Sequence, residues 1–265
     1  MKTPLFPLVA LGAALGFSNA SAAGPLNVPG TGDGIEMLRA VGAAFTADNP
    51  EIPVAVPPSI GSGGAVVAVA GDREVIGRIA RPLSDTEKAQ GLVFTPVVRI
   101  PSAFFVHADA KVSELTSKQI ADIYSGEVTN WKDVGGADLR IKVVRREDGD
   151  STLAVLRASM PGWKDLVLTG KSKTALTTQE AVETVRAVEG SVGFGPYSSA
   201  LKDTVAVVKI DGKAPTDPGY PSAVVMGLIH KASTVTADAK AFIAYTGGDK
   251  ASAIISGLGG VPIAQ

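Results

Sequence analysis

Cysteine is absent from the 265 residues, which excludes disulfides, thiolate nucleophiles, iron–sulfur clusters and a lipid-modified cysteine in this chain. Histidine occurs only as His107 and His230. Both sit in apolar, strand-like runs and read as core or edge residues rather than as a general base or metal ligand. Charge of one sign is lacking too. Lys and Arg number 25 against 26 Asp and Glu, a formal net charge of −1. Without a basic excess, nothing points to nucleic acid or an anionic membrane, and any positive patch must be local. No apolar stretch reaches the roughly 20 residues that span a bilayer.

What is present begins with an export signal. Lys2 supplies a positive start, residues 8–17 are apolar or small, and residues 18–23 (SNASAA) offer small side chains at the spacing a signal peptidase accepts. Cleavage is expected after Ala22 or Ala23, so residues 1–23 stand outside the fold. The protein is then exported, most simply to a bacterial periplasm.

From Leu26 onward short β-rich runs alternate with helical patterns. Residues 26–28 predict a strand, 30–34 a glycine turn and 35–45 a helix. Residues 52–56, 59–64 and 65–70 repeat that order, and 75–80 predict a third strand before a short helix near Asp85. This alternation argues for βαβ units and a mostly parallel sheet, with ligands beyond the carboxyl ends of the strands. Two extended runs, 94–100 and 102–107, flank Pro101 and suggest a passage between domains. A capped helix is expected over 116–124, and Trp131 is expected in the core. Residues 162–172 look like a lysine-rich surface excursion, 177–188 like a helix and 191–194 like a strand. Gly195-Pro196 offers a second passage. Residues 204–210 and 223–230 predict the last strands, and 238–245 a closing helix.

The stretch IKVVRREDGDSTLAVLRASM, residues 141–160, concentrates the chemistry. It reads as a buried strand, a polar turn and a helix opening at Ser151 or Thr152. A helix start has unpaired N–H groups and partial positive charge, so it can seat an anion. Arg146 adds a planar fork that matches carboxylate or phosphate oxygens. An ordinary βα loop with a charged surface turn is the alternative, although similar glycine or polar turns recur at 30–34 and 59–64.

Enzyme signatures fail in turn. Gly170-Lys171-Ser172 resembles the end of a P-loop, but Asp165 stands where its first glycine is needed. Ser199 and Lys202 fit a bare S-x-x-K without its supporting elements, and no G-x-S-x-G occurs. Gly30-Thr31-Gly32 starts like a dinucleotide fingerprint and departs from it at Ile35.

Residues 115–152, LTSKQIADIYSGEVTNWKDVGGADLRIKVVRREDGDST, resemble the most specific stretch of the phosphate-binding proteins of the periplasmic binding protein superfamily. These are the receptor components of ABC-type phosphate uptake systems. Ser62-Gly63-Gly64, Arg81-Pro82-Leu83, residues 190–194 (GSVGF) and Gly219-Tyr220-Pro221 resemble further landmarks of that family. The resemblance implies an α/β fold of two lobes, each a mixed sheet flanked by helices, on a hinge of two crossings. Placing those near 97–102 and 193–197 assigns 24–98 and 196–265 to lobe one and 99–195 to lobe two. It also implies a monomer that binds inorganic phosphate without a cofactor or metal, presents it to a membrane ABC permease and has no catalytic residues. Carried over by position, the ligand contacts fall on Thr31, Gly32 and Asp33, on Ser62 and Gly63, on Arg81, and on Arg146, Asp150, Ser151 and Thr152.

Three positions depart from the family pattern. Its G-S-G-T becomes Gly149-Asp150-Ser151-Thr152, Asp33 stands where a hydroxyl or amide is usual, and Ala80 replaces an acidic or hydroxyl contact. Extra carboxylates repel an anion unless that anion has a proton to donate. Asp150 either accepts such a proton or simply caps its helix. Binding or sensing of another small anion without transport therefore stays open beside phosphate delivery, with a hydrolase the weaker alternative.

Overall fold

A computed structural model describes residues 24–264, and the export signal expected over residues 1–23 lies outside the described residues. The chain opens with β1 (Leu26–Asn27), α1 (Ile35–Asp48), β2 (Val54–Ala55), α2 (Gly61–Ala70), β3 (Ile76–Ile79), α3 (Asp85–Ala89) and β4 (Leu92–Val106). It continues through β5 (Glu114–Leu115), α4 (Ser117–Ser125), β6 (Lys142–Arg146), α5 (Ser151–Ser159), β7 (Ser172–Ala175), α6 (Thr178–Ala187) and β8 (Ser191–Pro196). It closes with β9 (Ala206–Val207), β10 (Lys209–Ile210), β11 (Ala223–Lys231), α7 (Ala237–Thr246), α8 (Asp249–Gly257) and β12 (Val261–Pro262).

The expected strand, turn and helix order holds through the first lobe. Helix α1 turns Met37, Leu38, Val41 and Phe45 inward at helical spacing, and all of β3 is buried, as a strand covered on both faces requires. Helix α2 begins at Gly61 rather than at the expected Ala65, which puts Ser62 and Gly63 in its first turn instead of ahead of it. Glycines are poor helix formers, and packing overrides that preference here.

The two runs expected on either side of Pro101 form one strand of 15 residues. β4 pairs antiparallel with β11 from Leu92 to Pro101, then with β8 from Ser102 to Val106. Proline has no N–H to donate, so it is tolerated where the ladder changes partners. On the first side lie β3, β11 and β12; on the second, β8, β6 and β7, which are mutually parallel, with β9 on the other edge of β4.

The return crossing differs from the expected one at 193–197. There the chain reaches the hinge: Tyr197 N donates to Pro101 O at 2.8 Å and Ser199 N to Leu258 O at 3.4 Å. It then turns back, β9 pairing with Phe105 and Val106 of β4, and β10 with β5. Val208, Ile210 and Tyr220 are buried in the second lobe's core. The passage to the first lobe follows, ahead of Ala223, so residues 200–220 pack with the second lobe rather than the first. Strands of two residues carry too little pattern to be assigned by periodicity.

Each lobe has its own core. In the first, Val28, Leu38, Val41, Phe45, Val98 and Phe242 pack together. In the second, Phe104, Tyr124, Trp163 and Phe194 form an aromatic cluster with centroid separations of 5.0–6.2 Å. Trp131 lies fully buried in the same core, its Nε1 donating to Gly190 O at 2.9 Å. The excursion expected at 162–172 is therefore anchored: its Trp163 is fully buried in that cluster. No helix among the described residues is long and apolar enough to cross a membrane.

Candidate oxyanion site

The first seat is made by loops that follow β1 and β2. Gly30 has φ 148°, and a Cβ there would lie 1.9 Å from the Arg78 carbonyl oxygen, so only glycine fits this approach. Thr31, nearly buried, donates its backbone N–H to Arg78 O at 3.1 Å. Its hydroxyl donates to Asp33 Oδ2 at 2.8 Å and accepts from Asp33 N at 3.2 Å, closing a small ring that fixes the carboxylate. The second loop abuts the first, Ile60 N donating to Gly30 O at 2.9 Å. Ser62 Oγ accepts from Ala80 N at 3.1 Å, so its O–H proton stays available to donate, and Gly63 is exposed beside it.

Arg81 is placed differently from the other candidates. Its fork clasps both oxygens of Glu87 at 2.8 and 2.7 Å, and Glu87 also accepts from Ser84 N in the capping box of α3. Those bonds hold the Glu87 carboxyl down at about 2.

The second seat is the β6–α5 turn. Arg146 ends the strand with its side chain 7% exposed, and its Nη2 lies 2.7 Å from Asp150 Oδ2, whose side chain is 8% exposed. Nη1 donates to Thr178 Oγ1 at 2.9 Å and Nη2 also to Leu176 O at 3.1 Å. The Nε is buried with no partner among the described residues. Asp150 is the N-cap of α5, its Oδ1 accepting from Leu153 N at 3.0 Å. One carboxylate thus caps the helix and neutralises the arginine, which favours the capping alternative over a proton acceptor facing the ligand.

The two seats meet. Ser151 Oγ donates to Asp33 Oδ1 at 3.4 Å, and Asp33, Ser151 and Thr152 line one narrow cleft. Ile100, Pro101, Pro196 and Val224 form its hinge-side floor. Thr31, Gly32, Ser62 and Gly63 adjoin Asp33 in the first lobe, while Arg146 and Asp150 stand behind Ser151 in the second.

Sequence reading missed Arg78. It is fully buried in β3, its Nε donating to Thr31 O at 2.7 Å, its Nη2 to Pro57 O at 2.8 Å and its Nη1 to Val28 O. Burial, with a smaller contribution from Arg39, pulls its pKa down to about 10. The signal was an arginine inside the apolar run VIGRIA, where a strand buried on both faces has no outlet for a charge.

The profile of the PBP superfamily domain matches residues 17–250. The phosphate-binding protein PstS of Bacillus subtilis (strain 168) is 26% identical over 200 residues, which cover 73% of this chain and 64% of that relative. A solved protein of Clostridium perfringens, described as a phosphate ABC transporter substrate-binding protein with bound phosphate, superposes with TM-score 0.74 at 27% identity, covering 90% of this chain and 99% of that one. An ABC-type phosphate transport receptor from Vibrio cholerae has the same fold, with TM-score 0.69 at 22% identity over 89% of this chain and 99% of that one. With the two-lobed α/β architecture and a profile match over most of its length, the chain belongs to the PBP superfamily, that of the periplasmic binding proteins.

Proposed function

We propose that the chain is an exported solute-binding protein that encloses inorganic phosphate between its lobes and presents it, as a monomer, to a membrane ABC permease. The observation that carries this is the Arg146 Nε: a buried guanidinium donor without a partner, beside the start of α5. A buried unpaired donor costs about 1–3 kcal/mol, more for a charged group, and an oxyanion oxygen is a suitable acceptor. Thr31 and Asp33 from the first lobe and Ser151 and Thr152 from the second supply convergent hydroxyl, amide and carboxylate groups. Relatives described as phosphate-binding, one of them solved with phosphate, support the choice of ligand. The reading is of binding and release, so it needs no nucleophile beside a base.

The acidic departures favour one second reading, in which another small anion is bound or sensed without transport. With Asp150 pairing Arg146 and Asp33 facing the cleft, the site is less positive than its arginines suggest. Isothermal titration of the ligand-free protein with phosphate, sulfate and small organic anions decides between them. Saturable phosphate binding tighter than sulfate is the expected result; tighter binding of a different anion would replace phosphate as the ligand.

A further inference from the structure

Three arginines stand in or behind the seats, and two already have carboxylates. Arg146 pairs with Asp150, and Arg81 with Glu87. Arg78 has none: its fork reaches only the carbonyl oxygens of Thr31, Val28 and Pro57. A charge taken out of water is costly unless it is paired, and carbonyl dipoles replace a counter-ion only in part. Each carbonyl nevertheless belongs to a loop of the first seat. Val28 and Pro57 are followed by Pro29 and Pro58, whose peptides have no N–H. The Thr31 peptide is different. Its carbonyl faces Arg78, so in a trans peptide the Gly32 N–H faces the opposite way, out of the arginine's side of the loop.

We propose that Arg78 is the counter-charge of the site: a buried positioning residue that orients the Thr31–Gly32 peptide and offsets the ligand's negative charge from behind the first seat, a role that Asp150 denies to Arg146. This rests on the cleft binding an oxyanion, and it adds that the anion's charge is balanced by a residue that need not touch it. Arg78 then sets the preference between ligand charge states. A positive charge held in low dielectric discriminates a dianion from a monoanion, whereas a stitch between loops does not.

The test compares the unmodified protein with Arg78→Met, which keeps an apolar stem without charge, and Arg78→Lys, which keeps the charge without the fork. Circular dichroism establishes which of them fold. Phosphate is titrated calorimetrically well below and well above its second ionisation, and sulfate, a dianion at both, serves as control. Arg78→Met should lose about tenfold or more in affinity for the dianion relative to the monoanion. Arg78→Lys should weaken both while keeping their ratio. A folded Arg78→Met with the unmodified protein's ratio overturns the proposal. If Arg78→Met does not fold, Arg78→Lys decides, and a collapsed ratio there overturns it as well. Unmodified protein that binds sulfate but not phosphate defeats the phosphate reading alone, and the proposal is then read from whether sulfate affinity falls in Arg78→Met and holds in Arg78→Lys. Binding of neither anion overturns both.

Discussion

Ser151, the first residue of α5, donates its hydroxyl to Asp33 Oδ1 at 3.4 Å and so ties the lobes together across 118 positions of sequence. Asp33 can only accept hydrogen bonds, and it already receives the Thr31 hydroxyl. An entering anion meets it favourably only by offering an O–H, which hydrogen phosphate has and sulfate lacks. Asp33→Asn should therefore narrow the phosphate-over-sulfate ratio on the order of tenfold, the scale of one charge-assisted hydrogen bond. Parallel titrations with the two anions measure it; an unchanged ratio removes Asp33 as the discriminating acceptor.

Asp150→Asn should behave otherwise. Asparagine still caps α5 but cannot balance Arg146. The melting temperature should fall while the phosphate-over-sulfate ratio stays where it was. A narrowed ratio would return Asp150 to the ligand-facing role that its capping geometry argues against.

Arg146→Ala leaves Asp150 buried without its partner, a loss of roughly 3–5 kcal/mol for a broken buried pair. Phosphate affinity should drop on the order of 10²-fold or more, since about 1.4 kcal/mol is a factor of ten. The double variant Arg146→Met with Asp150→Asn removes both charges and should regain stability without regaining binding. Calorimetry of the single and double variants checks both halves, and a loss of affinity below about threefold in Arg146→Ala would confine the arginine to a structural part.

Glu87 gives stability a pH signature. Its folded pKa, held at about 2 by Arg81 and the Ser84 N–H, lies below its ordinary value. The unfolded chain therefore takes up the proton first as pH falls. This contribution is complete above about pH 5 and is lost as the pH descends toward about 2. Urea midpoints followed through that window should fall less steeply for Glu87→Gln than for the unmodified chain; identical slopes would mean the pair contributes nothing measurable.

Closure should accompany ligand, because contacts from both lobes are available together only when the lobes meet. Small-angle scattering at saturating phosphate should show a smaller radius of gyration than without ligand, and an equal radius would count against a hinge.

The sequence was informative where physics is local. The Ser84, Thr116 and Thr177 caps, the alternation of strand and helix, and the turns at Gly30 and Asp150 all follow from neighbours a few residues apart. It was uninformative where a tertiary partner decides. The start of α2 at Gly61 runs against glycine's preference, and β9 and β10 are strands only because β4 and β5 lie beside them. Arg78 takes its place from carbonyls 21 to 50 residues away. The two uses of Asp150 could not be separated until Arg146 was seen to reach one oxygen and Leu153 N the other.

Both tryptophans of the chain, Trp131 and Trp163, lie buried in the second lobe's core, and none lies in the first. Indole emission is thus a private channel for one half of the molecule, while far-ultraviolet dichroism samples both. Because β4 threads both sheets as one strand, neither half can melt without stripping hydrogen bonds from the other. Denaturation curves recorded by emission and by dichroism should then superimpose, and a gap between them would expose a lobe that stands on its own.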